Sequence, residues 1–439
     1  MRKLCLSVVR SVYTDARSST HLASLRSITR VLDEEDAKPF LVDWTNRFSQ
    51  PSCVVVMPTS TKEVSKIAKY CNDNKIALTT QGGNTGLVGG SIGTKTGGVI
   101  LNLCKMNTIY DVDENWILTC DSGVILESLD TYLQNKSIIG NGTSAGASSN
   151  DNDNNFPELM MPIDLGSKGS CHIGGNIATN AGGLNVIKYG PIGRYVMGME
   201  IVKADGTIID MMRGLPKDNM GFPIKNIFVG SEGYLGIITK LRIMLVNRPK
   251  STSLALIRVT SFDSVKAILK SARVYLGDDI SAFEFFDTNS IESVSIMQPQ
   301  LLKGLELWLS PMDNVDDVDD SSVGADTNSN TDTGINGPIN ILVQISSTSA
   351  DIQDSSNKIE IEVGNNAMKL QDQLENWVIF LMNKGLVLEK GTIIAQNKAQ
   401  EKLLWGIREA IPVCLMKQSQ ELKILDSGAK SRSEIKLAS

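Results

Sequence analysis

Two glycine-dense segments carry the residue types that can bind an anion through the backbone. The first is QGGNTGLVGGS at residues 81–91, with five glycines, and the second is PIDLGSKGSCHIGGNIATNAGG at residues 162–183, with six. Glycine has no Cβ, so it tolerates positive φ and lets backbone N–H groups approach a phosphate closely. A flexible tip loop is the alternative, but strand-like runs flank the first segment and Leu87 and Val88 lie within it. Two such segments favour a large cofactor that carries phosphate.

Neither segment matches a common nucleotide-binding motif. The P-loop pattern G-x-x-x-x-G-K-[ST] occurs nowhere in the chain. The run GNGTSA at 140–145 nearly fits the dinucleotide fingerprint, but a tract of Asn, Ser and Asp follows where that fingerprint needs a helix. We therefore reject it as a cofactor site.

Composition excludes several classes of protein. The chain has 439 residues, enough for two or three domains, with 41% hydrophobic and 21% charged residues. Its net charge of −6 offers no basic field for nucleic acid. The seven cysteines form no C-x-x-C pair, which indicates reduced thiols in an intracellular compartment. No apolar run approaches the length of a membrane span.

The N-terminal segment 1–32 has an unusual charge pattern. It holds six Arg and Lys residues against the single acid Asp15, with six serines between them. An Arg- and Ser-rich segment that is poor in acids is typical of a mitochondrial transit peptide. A polar N-terminal arm is the alternative interpretation.

The region 53–246 predicts short strands mixed with helices. Ser60 and Glu63 form a capping box, and the apolar positions that follow are spaced for an amphipathic helix. The run 196–210 predicts a β-hairpin that turns at Asp205-Gly206. A second helix is predicted at 124–133, and further strands at 53–58, 76–80, 98–103, 116–121 and 236–245.

The pattern changes after Arg248-Pro249. Strand-like and helix-like runs follow in the order β-α-β-β-α-β, which predicts a second domain. The first strand is LALIRVT, the helices pass through 265–275 and 367–383, and the last strand is LVLEK. The low-complexity inserts at 141–155 and 313–337 read as disordered surface loops.

Four motifs together resemble a known family. QGGNTGLVGGS, MPIDLGSKGSCHIGGNIATNAGG, ADGTIID and GSEGYLGIIT are similar to the FAD-linked dehydrogenases of the vanillyl-alcohol-oxidase type, and most similar to the branch of mitochondrial D-2-hydroxyglutarate and D-lactate dehydrogenases. The resemblance implies an α+β fold in which a two-lobed, PCMH-type FAD-binding domain precedes a ferredoxin-like substrate (cap) domain. We expect the transit segment at 1–32, the FAD domain at 48–249, a partial substrate domain at 250–425 and a divergent tail at 426–439.

The resemblance also implies which residues bind FAD. The pyrophosphate is expected against Gly82, Gly83, Asn84, Thr85 and Gly86. The flavin is expected against Pro162, Gly174, Asn176, Thr179 and Asn180, and the adenine end near Glu232 and Ile237. Some relatives attach FAD through a histidine at the position of Thr85, so we expect non-covalent binding here. His172 has two open interpretations, as a packing residue or as a cofactor contact.

The substrate residues are likewise implied by the resemblance. LLWGIRE and ELKILD resemble family segments that bind the substrate carboxylate, which places that role on Arg408 and Lys423. Without the resemblance, the pattern around both residues is typical of a solvent-exposed helix face. The family usually has a threonine four residues after this arginine, where this chain has Pro412. A proline there puts the local helix and one hydroxyl contact in doubt.

The C-terminal region departs further from the family. The family continues into an H-G-H-x-G-D-G-N-x-H motif that supplies metal ligands and the catalytic base, whereas this chain has only His21 and His172. We therefore expect a truncated chain that binds no zinc or similar metal, and we assign no catalytic residue.

The resemblance implies oxidation of a D-2-hydroxy acid, first of all D-2-hydroxyglutarate, in the mitochondrial matrix. An electron-transfer flavoprotein is the implied electron acceptor. The alternatives are a flavin-binding isoform that does not turn over and an enzyme similar to D-lactate dehydrogenase.

Overall fold

The computed structural model describes residues 15–94, 97–140, 157–215, 217, 219, 221–303, 338–348, 351–355 and 358–437. At 138–140, 351–355, 358–367 and 420–437 it describes the backbone only. The inserts predicted at 141–155 and 313–337 therefore lie outside the described residues. The chain divides into two units, Met1–Arg248 and Pro249–Ser439.

Unit 1 contains eleven described strands and seven described α-helices. The strands are β1 (Arg30–Val31), β2 (Val54–Met57), β3 (Leu78–Gln81), β4 (Val99–Asn102), β5 (Ile109–Val112), β6 (Ile117–Asp121), β7 (Leu159–Met160), β8 (Val196–Val202), β9 (Ile208–Met211), β10 (Ile237–Met244) and β11 (Val246–Asn247). The helices are α1 (Ser19–Ile28), α2 (Glu34–Ala37), α3 (Thr61–Asp73), α4 (Leu126–Gly140), α5 (Ile173–Ala178), α6 (Val186–Tyr189) and α7 (Lys225–Phe228).

The first sheet of unit 1 has the order β1-β2-β4-β3. Strands β2 and β3 both pair with β4 in parallel, and every residue of β2 and β4 is buried. Continuous apolar runs of this kind are typical of parallel strands that are covered on both faces. The predicted capping box begins α3, because Ser60 Oγ accepts a hydrogen bond from the Glu63 N–H at 3.4 Å.

The second sheet of unit 1 is antiparallel, in the order β5-β6-β10-β8-β9. Strands β8 and β9 form the predicted hairpin, and Gly206 in its turn has φ +84°. This conformation favours glycine at the turn position. The loop before α5 and α5 itself contribute buried residues to the core of this sheet.

The N-terminal boundary of the folded unit differs from the prediction. Ala16 and Leu25 are fully buried in the core of the first sheet, and β1 pairs with β2. Removal of the whole segment 1–32 would take away an edge strand and these core side chains. The fold therefore includes residues before position 32, and mitochondrial targeting stays a prediction.

Unit 2 contains six described strands and four described α-helices. The strands are β12 (Ser251–Val259), β13 (Ile280–Asp287), β14 (Ile339–Ser347), β15 (Asp351–Ser355), β16 (Lys358–Glu362) and β17 (Leu388–Ile394). The helices are α8 (Phe262–Tyr275), α9 (Thr288–Met297), α10 (Val363–Asn383) and α11 (Lys398–Leu437). The main sheet has the order β13-β14-β12-β17 and is antiparallel throughout. This order and the connections through α8 and α10 match the predicted β-α-β-β-α-β unit.

Helices cover the main sheet of unit 2 and bury its apolar side chains. Helix α10 packs on β12, and its fully buried Trp377 donates from Nε1 to Ser271 Oγ of α8 at 3.0 Å. Helices α9 and α11 share a separate core cluster with β12 and β14. Helix α11 continues through Pro412, so the helix break considered from the sequence does not occur. No helix in the described part of the chain is long and apolar enough to cross a bilayer.

Candidate cofactor-binding site

The two glycine-dense segments meet in unit 1 around a cavity of about 290 Å³. Three stretches of chain line most of it. The first contributes Gly82, Gly83, Asn84, Thr85 and Gly86, the second Gly174, Gly175, Asn176 and Thr179, and the third Glu232, Gly233 and Gly236. This volume is near the lower end of the ~300–1,000 Å³ range for ligand sites. The cavity can therefore enclose part of a dinucleotide.

Buried amide side chains fix the start of the first glycine segment. Gln81 is fully buried at the end of β3, and its Nε2 donates to the carbonyls of Phe40 and Ser91 at 2.9 and 3.1 Å. Asn102 at the end of β4 donates from Nδ2 to Gln81 Oε1 at 2.9 Å and to the Gly82 carbonyl at 3.1 Å. Since every donor in this network has an acceptor in the protein, the network rigidifies the entry to the cavity.

Asn84 holds the middle of the same segment in a left-handed conformation. Its φ is +53°, which asparagine tolerates better than most residues. The side chain Nδ2 donates to the Val42 carbonyl at 2.7 Å, and Oδ1 accepts from Ser91 Oγ at 2.6 Å. Both ends of the amide are thus used by the protein, and Asn84 is held in place at the lining of the cavity.

One glycine in each segment packs where a side chain would not fit, and the first of these contacts joins the two segments. A Cβ at Gly83 would lie 2.0 Å from the Ser170 carbonyl oxygen. A Cβ at Gly174 would lie 2.5 Å from Ser122 Cβ, and the Gly174 N–H donates to the Ser122 carbonyl at 2.8 Å. Gly83 thus packs against protein backbone, and its contact with the pyrophosphate stays a prediction.

Other glycines of the cavity face open space. A Cβ at Gly86 or Gly175 would meet no protein atom within 4 Å. In the described part of the chain, no hydrogen bond is donated by the backbone N–H groups of residues 83–86. Consecutive unpaired N–H groups on a glycine-rich loop form a concave site for an anion. The residues present therefore fit the diphosphate of FAD.

The charges along the cavity are few. Among the described residues that line it, the ionisable side chains are His172 and Glu232, and none is lysine or arginine. Glu232 has φ +50°, and its N–H donates to the Ala178 carbonyl at 2.8 Å. The described lining therefore offers an anion neutral donors and no cationic side chain.

His172 is buried and neutral. Only 6% of the residue is exposed, and its Nδ1 has no hydrogen-bond partner in the described chain. Burial lowers the pKa of the imidazole to about 4, because desolvation disfavours the charged form. The ring lines the cavity next to Gly82, so it belongs to the candidate site as well as to the packing around it.

The cavity brings together most of the FAD residues predicted from the sequence. Nine of the twelve line it, and the exceptions among the described residues are Pro162, Asn180 and Ile237. Pro162 and Ile237 are buried, and Asn180 Oδ1 accepts from the Gly193 N–H at 3.1 Å. Contact of each of these residues with FAD stays a prediction.

Sequence reasoning missed Ser122 and Ser91. Ser122 lines the cavity and is 1% exposed, and its Oγ has no hydrogen-bond partner among the described residues. It follows β6, far in sequence from both glycine segments, and no local pattern marks it. Ser91 is the last residue of the first segment and also lines the cavity. The glycine pattern does not mark its hydroxyl.

The two predicted substrate residues lie in unit 2. Arg408 of α11 donates from Nε and Nη2 to Glu284 Oε2 at 3.0 and 2.7 Å. It borders a second cavity, of about 340 Å³, together with Asp287 and apolar residues of β13. Lys423 also lies in α11, where the structure describes the backbone only. In the described part of the chain, no group of three His, Cys, Asp or Glu side chains could hold a metal ion.

We predict that Gly83→Ala destabilises the fold while Gly86→Ala does not. A methyl group at Gly83 would overlap a backbone oxygen, and such overpacking costs roughly 3 kcal/mol. Gly86→Ala enters open space and should change the free energy of unfolding by less than about 1 kcal/mol. Urea unfolding measures both variants. Equal stability of the two would show that the glycine segments do not pack against each other.

His172 should make stability depend on pH. Its pKa is lower in the folded chain than its unfolded value near 6.5, so the unfolded state binds more protons between these values. The stability associated with the neutral ring is present above pH 6.5 and is lost as the pH falls towards 4. Between pH 7 and pH 4.5, we expect the free energy of unfolding of wild type to fall by about 2.5 kcal/mol more than that of His172→Gln. Urea unfolding of both at the two pH values measures this, and a parallel loss would contradict burial of the neutral ring.

Comparison with known proteins agrees with this geometry. A family model described as an FAD-binding domain matches residues 52–149 and 157–212. The chain is 36% identical over 388 residues to the mitochondrial D-2-hydroxyglutarate dehydrogenase of Arabidopsis thaliana, covering 88% of this chain and 57% of the relative. It is 34% identical over 394 residues to the mitochondrial D-2-hydroxyglutarate dehydrogenase of Rattus norvegicus, covering 90% of this chain and 60% of that relative. The chain thus spans less than two thirds of the length of these relatives.

A solved structure shows the same fold at low sequence identity. p-Cresol methylhydroxylase with substrate bound superimposes with a TM-score of 0.58 at 16% identity, covering 87% of this chain and 67% of the other. The mixed α+β fold predicted from the sequence is confirmed. The match to an FAD-binding domain agrees with the cofactor implied by the four motifs. This chain contains an FAD-binding domain, to which residues 52–149 and 157–212 match.

Proposed function

We propose that the protein uses FAD to oxidise a D-2-hydroxy acid, D-2-hydroxyglutarate in particular, to the 2-oxo acid. The observation that carries the proposal is the cavity of unit 1. Residues 83–86 line it, their backbone N–H groups donate no hydrogen bond within the described chain, and a Cβ at Gly86 would meet no protein atom within 4 Å. The choice of substrate is supported by the names of the Arabidopsis and rat relatives. Bound FAD would supply the group that accepts the hydride from the substrate α-carbon.

Each stretch around the cavity has a distinct role in this proposal. Residues 82–86 hold the diphosphate through backbone N–H groups. Gly174, Asn176 and Thr179 lie beside the flavin, and the neighbouring Gly175 leaves open space there. Glu232 lies towards the adenine end, where its carboxylate can accept hydrogen bonds from ribose hydroxyls.

Arg408 and Lys423 are proposed to bind the substrate carboxylates. A guanidinium binds a carboxylate through two parallel N–H groups, which fixes the orientation of the substrate as well as its affinity. We also propose that the protein acts in the mitochondrial matrix and passes electrons to an electron-transfer flavoprotein. These assignments follow from the family resemblance and from the naming of the relatives as mitochondrial.

The Arg408–Glu284 ion pair favours a second candidate, an FAD-binding protein without turnover. Glu284 uses two of the donors that a substrate carboxylate would need on Arg408. Asp287, on the same cavity, adds a further negative charge. An incoming dicarboxylate must therefore compete with a carboxylate of the protein.

Non-covalent binding of FAD is the first test. Thr85 stands where some relatives carry a histidine for covalent attachment, and it lines the cavity. Acid precipitation of the purified chain should therefore leave the yellow chromophore in the supernatant. In the variant Gly86→Val, a branched side chain would fill the open space next to this residue, so the protein should fold but should not bind FAD. Flavin retained on the precipitate would contradict non-covalent binding.

Anaerobic reduction of the bound flavin tests the activity. D-2-hydroxyglutarate should bleach the flavin absorbance, and the L-enantiomer should not. Glu284→Gln frees Arg408, so we expect bleaching at subsaturating substrate to be about tenfold faster, equivalent to about 1.4 kcal/mol of binding. Glu292→Gln, on the exposed side of α9, is the control and should behave as wild type. Flavin that is retained but stays unbleached in every variant would favour the second candidate.

A further inference from the structure

The ring of His172 has one enclosed nitrogen and one that faces the cavity. Nδ1 is buried without a partner, and a Cβ at Gly82 would lie 3.7 Å from it. Nε2 is not among the buried unpartnered atoms, and no described residue forms a hydrogen bond with it. Because His172 lines the cavity, Nε2 is the ring nitrogen that a bound molecule can reach.

This arrangement selects the tautomer of the neutral imidazole. One ring nitrogen then carries a proton and the other a lone pair. Burying an N–H donor without a partner is rarer than burying an unused acceptor, so the proton belongs on Nε2. The low pKa agrees with a single ring proton at pH 7. His172 therefore presents an N–H donor to the cavity.

The surroundings indicate which ligand atom receives this hydrogen bond. The His172 ring lies against Gly82, directly before the unpaired N–H groups of residues 83–86. No lysine or arginine is found among the described residues that line the cavity. An anion in this corner is surrounded by neutral N–H donors, and the imidazole adds one more. A diphosphate oxygen is the acceptor that fits such a set.

We propose that His172 is a cofactor-contact residue whose neutral imidazole donates a hydrogen bond from Nε2–H to the diphosphate of FAD. The proposal rests on FAD binding in the cavity of unit 1. It decides between the two interpretations of His172 that the sequence left open. It also assigns the anion site one side-chain donor in addition to backbone N–H groups.

Three variants of His172 separate a contact from a packing role. The amide nitrogen of glutamine can reach the position of Nε2, whereas asparagine is shorter and phenylalanine has no donor. We expect His172→Asn and His172→Phe to bind FAD about tenfold more weakly and His172→Gln within about threefold of wild type, as for the loss of one hydrogen bond. Quenching of FAD fluorescence on titration into apo-protein gives each Kd. His21→Gln is the control, because His21 bonds Tyr70 outside the cavity.

A second ligand and a spectroscopic measurement make the test specific. ADP shares the diphosphate but lacks the flavin, so the Asn and Phe variants should lose affinity for ADP by the same factor. In a His21→Gln background, nitrogen-15 NMR observes His172 alone and should show the Nε2–H tautomer.

Each contrary result has a separate meaning. Wild-type affinity for FAD in the Asn and Phe variants, or an Nδ1–H tautomer, would overturn the proposal for His172. Equal loss in all three variants, with lower stability, would instead make His172 a packing residue. Failure of the wild-type chain to bind FAD would contradict the cofactor assignment itself.

Discussion

The close approach of Gly83 to the Ser170 carbonyl is the contact on which the candidate site depends. The first glycine segment follows β3 in the first sheet of unit 1, and the second contains α5, which packs on the antiparallel sheet. A Cβ at Gly83 would lie 2.0 Å from the Ser170 oxygen, so the two backbones meet only if this residue is glycine. The cavity exists because the two glycine segments are joined at this point. Some glycines of the two segments thus allow backbones to pack closely, whereas Gly86 and Gly175 leave room for the cofactor.

This architecture leaves anion recognition to neutral donors. The chain carries a net charge of −6, and the described lining of the cavity includes no lysine or arginine. Oriented N–H groups can still hold an anion, since their dipoles are fixed by the fold and lose little freedom on binding. The fixing comes from Gln81, Asn102 and Asn84, whose amides bond the backbone around the segment. Small residues and buried amides together give a rigid cradle for a diphosphate.

Local patterns predicted much of the fold. The capping box at Ser60 and the turn at Asp205-Gly206 depend on neighbours in the sequence, and both were found where predicted. Helix α3 buries Val64 and Ile67, as its spacing indicates. The last strand was placed too early, at 386–390 instead of Leu388–Ile394, because LVLEK is short and its register is set by pairing with β12. The hairpin β15–β16 was not predicted at all.

The site was less predictable than the fold, since its remaining contacts join distant parts of the chain. Ser122 lies opposite Gly174, and Glu284 is paired with Arg408, 124 residues later. No periodicity links such positions. The glycine patterns marked the loops but could not show that Gly83 packs on protein while Gly86 faces open space.

Amide hydrogen exchange with and without FAD tests the central claim most directly. The N–H groups of residues 83–86 have no acceptor in the described protein, so they should exchange fast in the apo chain. FAD should protect them strongly, whereas amides that are already bonded in the first sheet, such as Val99, should change little. Protection confined to these loops would support a diphosphate held by the backbone. Unchanged exchange at 83–86 in the FAD-saturated protein would contradict it.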